Sequence, residues 1–223
     1  MEEKKSINVY NLIILDESGS MRCIYEETLS AINETLSGIR KIQADYPEQH
    51  HYVSIITFEG KGMSGVKLRR DRVPIEKVED FTTDDYRPCG CTPLYDAMGY
   101  GITTLENNLF SNDVVMATII TDGMENSSHE YSGKVIKELV SRQREKGWTF
   151  AYVGANQDAI EVAHDLNISN ALNFETSTEG MKMMCLQLRK ANSVFADEVY
   201  SFMQSDQCNM SVNTLFNKDD EEA

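Results

Sequence analysis

Strand-length apolar runs alternate with helical periods of apolar residues along nearly the whole chain, and this alternation restricts the fold more than any other feature. Residues 9–15 (Val-Tyr-Asn-Leu-Ile-Ile-Leu) and 114–121 (Val-Val-Met-Ala-Thr-Ile-Ile-Thr) are apolar almost throughout, as strands covered on both faces must be. Between them the period changes. Leu29, Ile32, Leu36, Ile39 and Ile42 recur at spacings of three or four within 25–44, which gives one apolar face of a helix. Such a sequence predicts an α/β domain built on a mainly parallel sheet.

The same reading predicts further strands at 52–58, 66–73, 149–153 and 171–174. It predicts helices at 94–109, 134–146 and 158–166, and a last helix running from the caps Ser177 and Thr178 toward Phe195 or beyond. Gly60, Gly62 and Gly65 make the link between 52–58 and 66–73 a tight turn, hence an antiparallel hairpin. Lys67, Arg69, Arg70, Asp71 and Arg72 load its second strand with charge, a device that keeps a sheet edge from pairing with other chains. Residues 74–91 show no period. Pro93 opens the following helix, where Gly99 and Gly101 permit close packing on the sheet. Residues 1–200 are expected to form the domain. Residues 201–223 are expected to be an extension ending in the solvated run Asp219-Asp220-Glu221-Glu222.

At 223 residues the chain can bury a substantial core without staples. Its 36 acidic against 21 basic residues give a net charge of −15. That balance argues against a general nucleic-acid binder, which needs a basic footprint, and against docking on anionic lipid. It suits a cation or a basic partner. No apolar run is long enough to span a bilayer, and no apolar segment follows Met1-Glu2-Glu3-Lys4-Lys5, so a cytoplasmic location is expected. The five cysteines (Cys23, Cys89, Cys91, Cys185, Cys208) are odd in number and scattered, which reads as reduced thiols rather than a disulfide framework.

The chemistry concentrates where the apolar strands stop. The first ends in Leu15-Asp16-Glu17-Ser18-Gly19-Ser20-Met21, placing oxygen-bearing side chains at i, i+2 and i+4. Thr92 stands just before Pro93, and Asp122 follows the 114–121 strand directly. In open α/β sheets the carboxyl ends of such strands border the ligand crevice. Two carboxylates meeting there repel unless a proton or cation intervenes. Asp16, Ser18, Ser20, Thr92 and Asp122 offer oxygen alone, which suits a hard cation: Mg²⁺ first, with Mn²⁺ or Ca²⁺ as alternatives.

These three motifs, Asp-x-Ser-x-Ser, the Thr92-Pro93-Leu94 segment and Thr121-Asp122-Gly123, together resemble the von Willebrand factor A (vWA) domain and its metal-ion-dependent adhesion site, over about residues 7–200. Cys89 and Cys91 depart from the family's pattern in the loop leading to Thr92. The resemblance implies a doubly wound, Rossmann-like sheet in the order 3-2-1-4-5-6 with helices on both faces. It implies metal coordination by the hydroxyls of Ser18, Ser20 and Thr92, with Asp16 and Asp122 binding directly or through water. It also implies a non-enzymatic role in which a protein partner's Asp or Glu completes the shell, within an intracellular assembly of prokaryotic or phage type.

Two other readings remain at this point. A Mg²⁺-dependent phosphohydrolase would want a second carboxylate where Ser18 stands, and the chain has no phosphate loop or nucleophile elbow. A metal-free vWA scaffold would not need the five-residue set. Glu17, between ligands, is expected on the solvent rim. Thr92 is also a plausible helix cap. Cys89-Gly90-Cys91 reads as free thiols, His50-His51 as the start of a strand, and His129 and His164 as surface residues. Met181, Met183, Met184, Leu186 and Leu188 read as packing positions of the last helix.

Overall fold

The two apolar runs become neighbours at the centre of one six-stranded sheet. In a computed structural model, which describes residues 6–155, 159–205, 207, 209–210 and 212–216, the strands are β1 (Ile7–Asp16), β2 (Gln49–Phe58), β3 (Val66–Pro74), β4 (Val114–Thr121), β5 (Thr149–Ala155) and β6 (Asn170–Phe174). The helices are α1 (Tyr25–Asp45), α2 (Leu94–Glu106), α3 (Gly133–Glu145), α4 (Ala159–Asp165) and α5 (Thr178–Met203). The expected helix start at Asp158, the thiol of Cys208 and the acidic run 219–222 lie outside the described residues.

The strand order is β3-β2-β1-β4-β5-β6. β1 pairs in parallel with β2 from Ile7↔Gln49 to Asp16↔Phe58, and with β4 from Val9↔Val114 to Leu15↔Ile120. Only β3 runs antiparallel, paired to β2 from Phe58↔Val66. This is the doubly wound, Rossmann-like order that the family resemblance implied. The hairpin is less regular than expected. Its register slips between Val53 and Ile56, where Arg72 adopts a left-handed φ of 48° and donates its N–H to Ser54 Oγ (3.0 Å).

Alternation along β1 sorts the core into two layers. Tyr10, Leu12 and Ile14 face Leu94, Met98 and Ile102 of α2, with Ile136 and Val140 of α3 in the same cluster. Ile13 and Leu15 face the opposite layer with Ile32, Leu36 and Ile39 of α1 and Met181, Met184 and Leu188 of α5. Each such side chain contributes about 1.5–3 kcal/mol by leaving water. Gly101 lets α2 come down on the sheet, for a Cβ there would stand 2.8 Å from Ile56 Cδ1. Gly99 is different: its face meets the ring of Tyr131, in the loop before α3, and not the sheet. Of the methionine-rich stretch, Met183 and Leu186 are exposed, so that part of α5 is only half a core surface.

The amino end of the sheet is closed by apolar side chains. Ile7, Val9, Val114 and Met116 pack with Phe195, Val199 and Met203 of α5, and with Met210, Val212 and Leu215 beyond it. The opposite, carboxyl end is left to loops, and the polar residues gather there.

Candidate metal centre

Because Leu15 lies opposite Ile120 in a parallel pair, Asp16 leaves β1 beside Thr121 and Asp122 at the end of β4. Asp16 is fully buried. Its Oδ1 accepts the Ser18 N–H (2.7 Å), and its Oδ2 accepts the Thr121 hydroxyl (2.5 Å). The first of these bonds curls the chain, so Ser18 and Ser20 come round to the same side. Their hydroxyl oxygens are 3.2 Å apart, and Ser20 Oγ donates to Asp122 Oδ1 (2.7 Å). Thr92, also buried, arrives from the loop before α2. A Cβ placed on Gly123 would stand 3.1 Å from Thr92 Oγ1 and 3.6 Å from Asp16 Oδ2. All five residues singled out in the sequence therefore converge at the carboxyl edge of β1 and β4.

Burial pushes the Asp16 carboxyl up to about 6; the neighbouring Asp122 charge adds to this, and the bonds from Thr121 and Ser18 oppose it. Asp122 is also raised, by burial, against the bond from Ser20. The pair thus resists holding two negative charges, and a divalent cation between them would remove that resistance. Among the described residues no three His, Cys, Asp or Glu side chains form a metal cluster. The donors at this crest are two carboxylates and three hydroxyls, and that all-oxygen chemistry fits Mg²⁺ or another hard ion. A cavity of about 270 Å³ opens beside Asp122, bordered by Tyr95, Met124 and Tyr152 among others.

The Thr92 hydroxyl does not cap α2, contrary to one expectation. Pro93 occupies the cap position, without a side-chain bond. The helix's free amides are instead met from the loop after β4. Tyr95 N–H donates to Glu125 Oε2 (2.9 Å) and Asp96 N–H to Ser128 Oγ (3.0 Å). Glu125 also accepts from the amides of Ser127 and Ser128, each at 2.8 Å. Thr92 itself pairs with Asn126, its N–H to Oδ1 at 2.9 Å and its carbonyl to the Asn126 N–H at 3.2 Å. Asp96, fully buried, accepts the amides of His129, Glu130 and Tyr131 at 2.8–2.9 Å. Sequence reasoning missed Glu125, Asn126 and Asp96. An acid in the first turn of a helix was a usable signal for Asp96; the other two act on backbone groups that leave no mark in sequence.

Glu17 is a second correction. It is not on the solvent rim but fully buried. Arg69 Nη2 donates to both its carboxylate oxygens (3.2 and 2.9 Å), and the Arg87 N–H to Oε1 (2.6 Å). The expected alternation does aim Glu17 away from the crest, but that side is covered by β3 and the loop after it. The cysteines agree with the sequence reading where described: Cys23, Cys89, Cys91 and Cys185 are free. Cys89 Sγ donates to Glu59 Oε2 (3.4 Å), and burial with that bond raises its thiol. His129 and His164 are exposed, as expected.

No protein-family model matches the sequence, and no curated protein matches it. Solved structures do share its fold. A mutant of the PilB minor pilin from Streptococcus sanguinis is 11% identical over 90% of this chain and 64% of its own, with a TM-score of 0.63. The pilus adhesin SpaC from Lactobacillus rhamnosus GG is 13% identical over 85% of this chain and 31% of its own, with a TM-score of 0.60. A von Willebrand factor type A structure from Catenulispora acidiphila covers 83% of this chain and 43% of its own at 13% identity, but its TM-score of 0.44 carries no weight. At these identities the likeness is one of fold, and the chain spans less than two thirds of each of these proteins.

Proposed function

We propose that this chain is a non-enzymatic protein-binding module whose contact is made through a divalent cation. Ser18, Ser20 and Thr92 would hold the ion through hydroxyls, with Asp16 and Asp122 binding directly or through water. Mg²⁺ is the first choice, and Mn²⁺ and Ca²⁺ are the alternatives. Neutral hydroxyls leave the ion's charge only partly compensated, so a vacant position attracts an anionic oxygen. The partner is accordingly a protein that offers an Asp or Glu.

The observation that carries this reading is the meeting of Asp16, Ser18, Ser20, Thr92 and Asp122 from three separate stretches of chain at one point. The fold likeness to a protein described as a pilus adhesin supports a binding role. No helix among the described residues is long and apolar enough to cross a membrane. The sequence reading favours an intracellular assembly. The likeness to pilus proteins supplies the competing setting, the cell surface, and fractionation separates the two.

Calorimetry of the full chain against Mg²⁺ and Mn²⁺ tests the site. One ion should bind the unmodified chain, and none should bind Asp16→Asn. A pull-down with and without chelator tests the role: specific partners should be lost both with chelator and with Asp16→Asn. Absence of uptake by the unmodified chain would leave a metal-free scaffold. Mg²⁺-dependent turnover of a phosphate ester that Asp16→Asn abolishes would make it an enzyme.

A further inference from the structure

Glu17 is a fully buried carboxylate that the proposed metal site does not use. Its backbone and side chain together touch every segment around the crest on the β2 side. The Glu17 N–H donates to Phe58 O at the end of β2 (2.9 Å), and its carbonyl accepts the Cys89 N–H (2.9 Å). Its carboxylate takes Arg69 from β3 and the Arg87 N–H from the loop that leads to Thr92. Arg69 is itself aimed, because its Nε donates to the buried Thr57 Oγ1 (2.8 Å). Two residues along, Gly19 N–H donates to Gly90 O (3.1 Å). The Asp-x-Ser-x-Ser loop and the Thr92 loop are thus laced together over residues 87–90, with the Glu17 carboxylate as the knot.

We propose that Glu17 and Arg69 are positioning residues for the metal centre: the pair fixes the Thr92 loop against the Asp16 loop and keeps the Glu17 carboxylate off the ion. A buried carboxylate needs a partner and hydrogen bonds to remain charged. Here Arg69 Nη2, shared between both oxygens, supplies the charge and the Arg87 amide adds a further donor, so the carboxylate is held away from the crest. Its charge, offset by Arg69, does not add to those of Asp16 and Asp122. An ion between those two therefore keeps its attraction for an outside carboxylate. Lys67 reinforces the arrangement, 3.8 Å from Glu17 and 3.1 Å from Glu59. Asp16, Ser18 and Ser20 alternate with Glu17 along one loop, yet the two sides of that loop do opposite jobs.

This inference rests on the metal reading, and its test separates the two. The probes are Mg²⁺ by calorimetry and Mn²⁺ by electron paramagnetic resonance, on the full chain, alongside urea unfolding in chelator. Glu17→Gln removes the charge and keeps the size. It should weaken both ions about tenfold, the scale seen when an outer partner of a metal ligand is lost. The Mn²⁺ spectrum should broaden as Thr92 loses its fixed place. Thr57→Val removes only the oxygen that aims Arg69; it should shift affinity in the same direction by less while the chain stays folded. If Glu17→Gln does not fold, Thr57→Val decides. A purely structural pair would lower stability in chelator and leave the ion affinity of the folded protein within about twofold in the variants, and that result overturns the inference. No uptake by the unmodified chain overturns the metal reading and this inference together.

Discussion

Two fully buried aspartates, Asp16 and Asp96, stand on either side of the Thr92 loop, and their surroundings differ in kind. Asp96 accepts three backbone amides from one loop, those of His129, Glu130 and Tyr131. Asp16 accepts one amide and one hydroxyl and has the Asp122 carboxylate as a neighbour. Asp96 is a finished structural anchor. Burial pushes the Asp16 carboxyl up to about 6, the Asp122 charge adds to this, and the bonds from Thr121 and Ser18 only partly oppose it. Burial alone does not mark a carboxylate that holds a ligand; the number and kind of donors already around it does.

Removing each carboxylate tests this contrast most strongly. Asp96→Ala strands three amides, and an unmet buried group costs about 1–3 kcal/mol. Urea unfolding in chelator should show a loss of about 3 kcal/mol or more, since three amides at about 1 kcal/mol each is the low end of that count. Asp16→Asn keeps an oxygen for the Ser18 amide and offers an amide to Thr121 Oγ1, so at neutral pH it should be no less stable than the unmodified chain. Equal losses for the two variants would break the comparison.

The next effect is in pH. Folded Asp16 keeps its proton to about 6, whereas an unfolded aspartate releases it near its ordinary value of 3.8. Between those values the folded state binds more protons, so stability in chelator falls as pH rises. The contribution is fully present below about pH 4 and gone above about 6, at about 1.4 kcal/mol per pKa unit. The difference between the unmodified chain and Asp16→Asn, followed by urea unfolding from pH 4 to 7, isolates it. A difference that is flat with pH would contradict the account of Asp16.

A smaller effect sharpens the contrast further. Mg²⁺ at a hundred times its dissociation constant should stabilise the unmodified chain by about 2.7 kcal/mol. Asp16→Asn should gain nothing, while Asp96→Ala, where folded, should still gain. Thermal unfolding with and without Mg²⁺ reads all three.

Much of this was legible in the sequence. The continuous apolar runs marked β1 and β4 as central because both their faces are covered, and the spacing of Asp16, Ser18 and Ser20 marked one side of a loop at their end. What escaped notice depends on contacts without periodicity. Glu17 was misplaced because alternation tells which side a residue takes, not what covers that side; here it is Arg69, 52 residues further along the chain and on a different strand. Glu125 and Asn126 act on main-chain groups of α2 and Thr92 that any residue would carry. Met210, Val212 and Leu215 close the amino end of the sheet from a stretch too short to show a pattern. The pairing of β1 with β4, which brings Asp16 to Asp122, followed from the family resemblance; neither strand's own residues specify it.

Gly123 turns the crest into something that can be plugged. A methyl there would stand 3.6 Å from Asp16 Oδ2, an ordinary contact, and 3.1 Å from Thr92 Oγ1, which would have to give by a few tenths of an ångström. Gly123→Ala therefore keeps all five donor side chains while crowding the space beside two of them. That separates owning the right oxygens from owning the space between them, a distinction that substitutions of the ligands themselves cannot make.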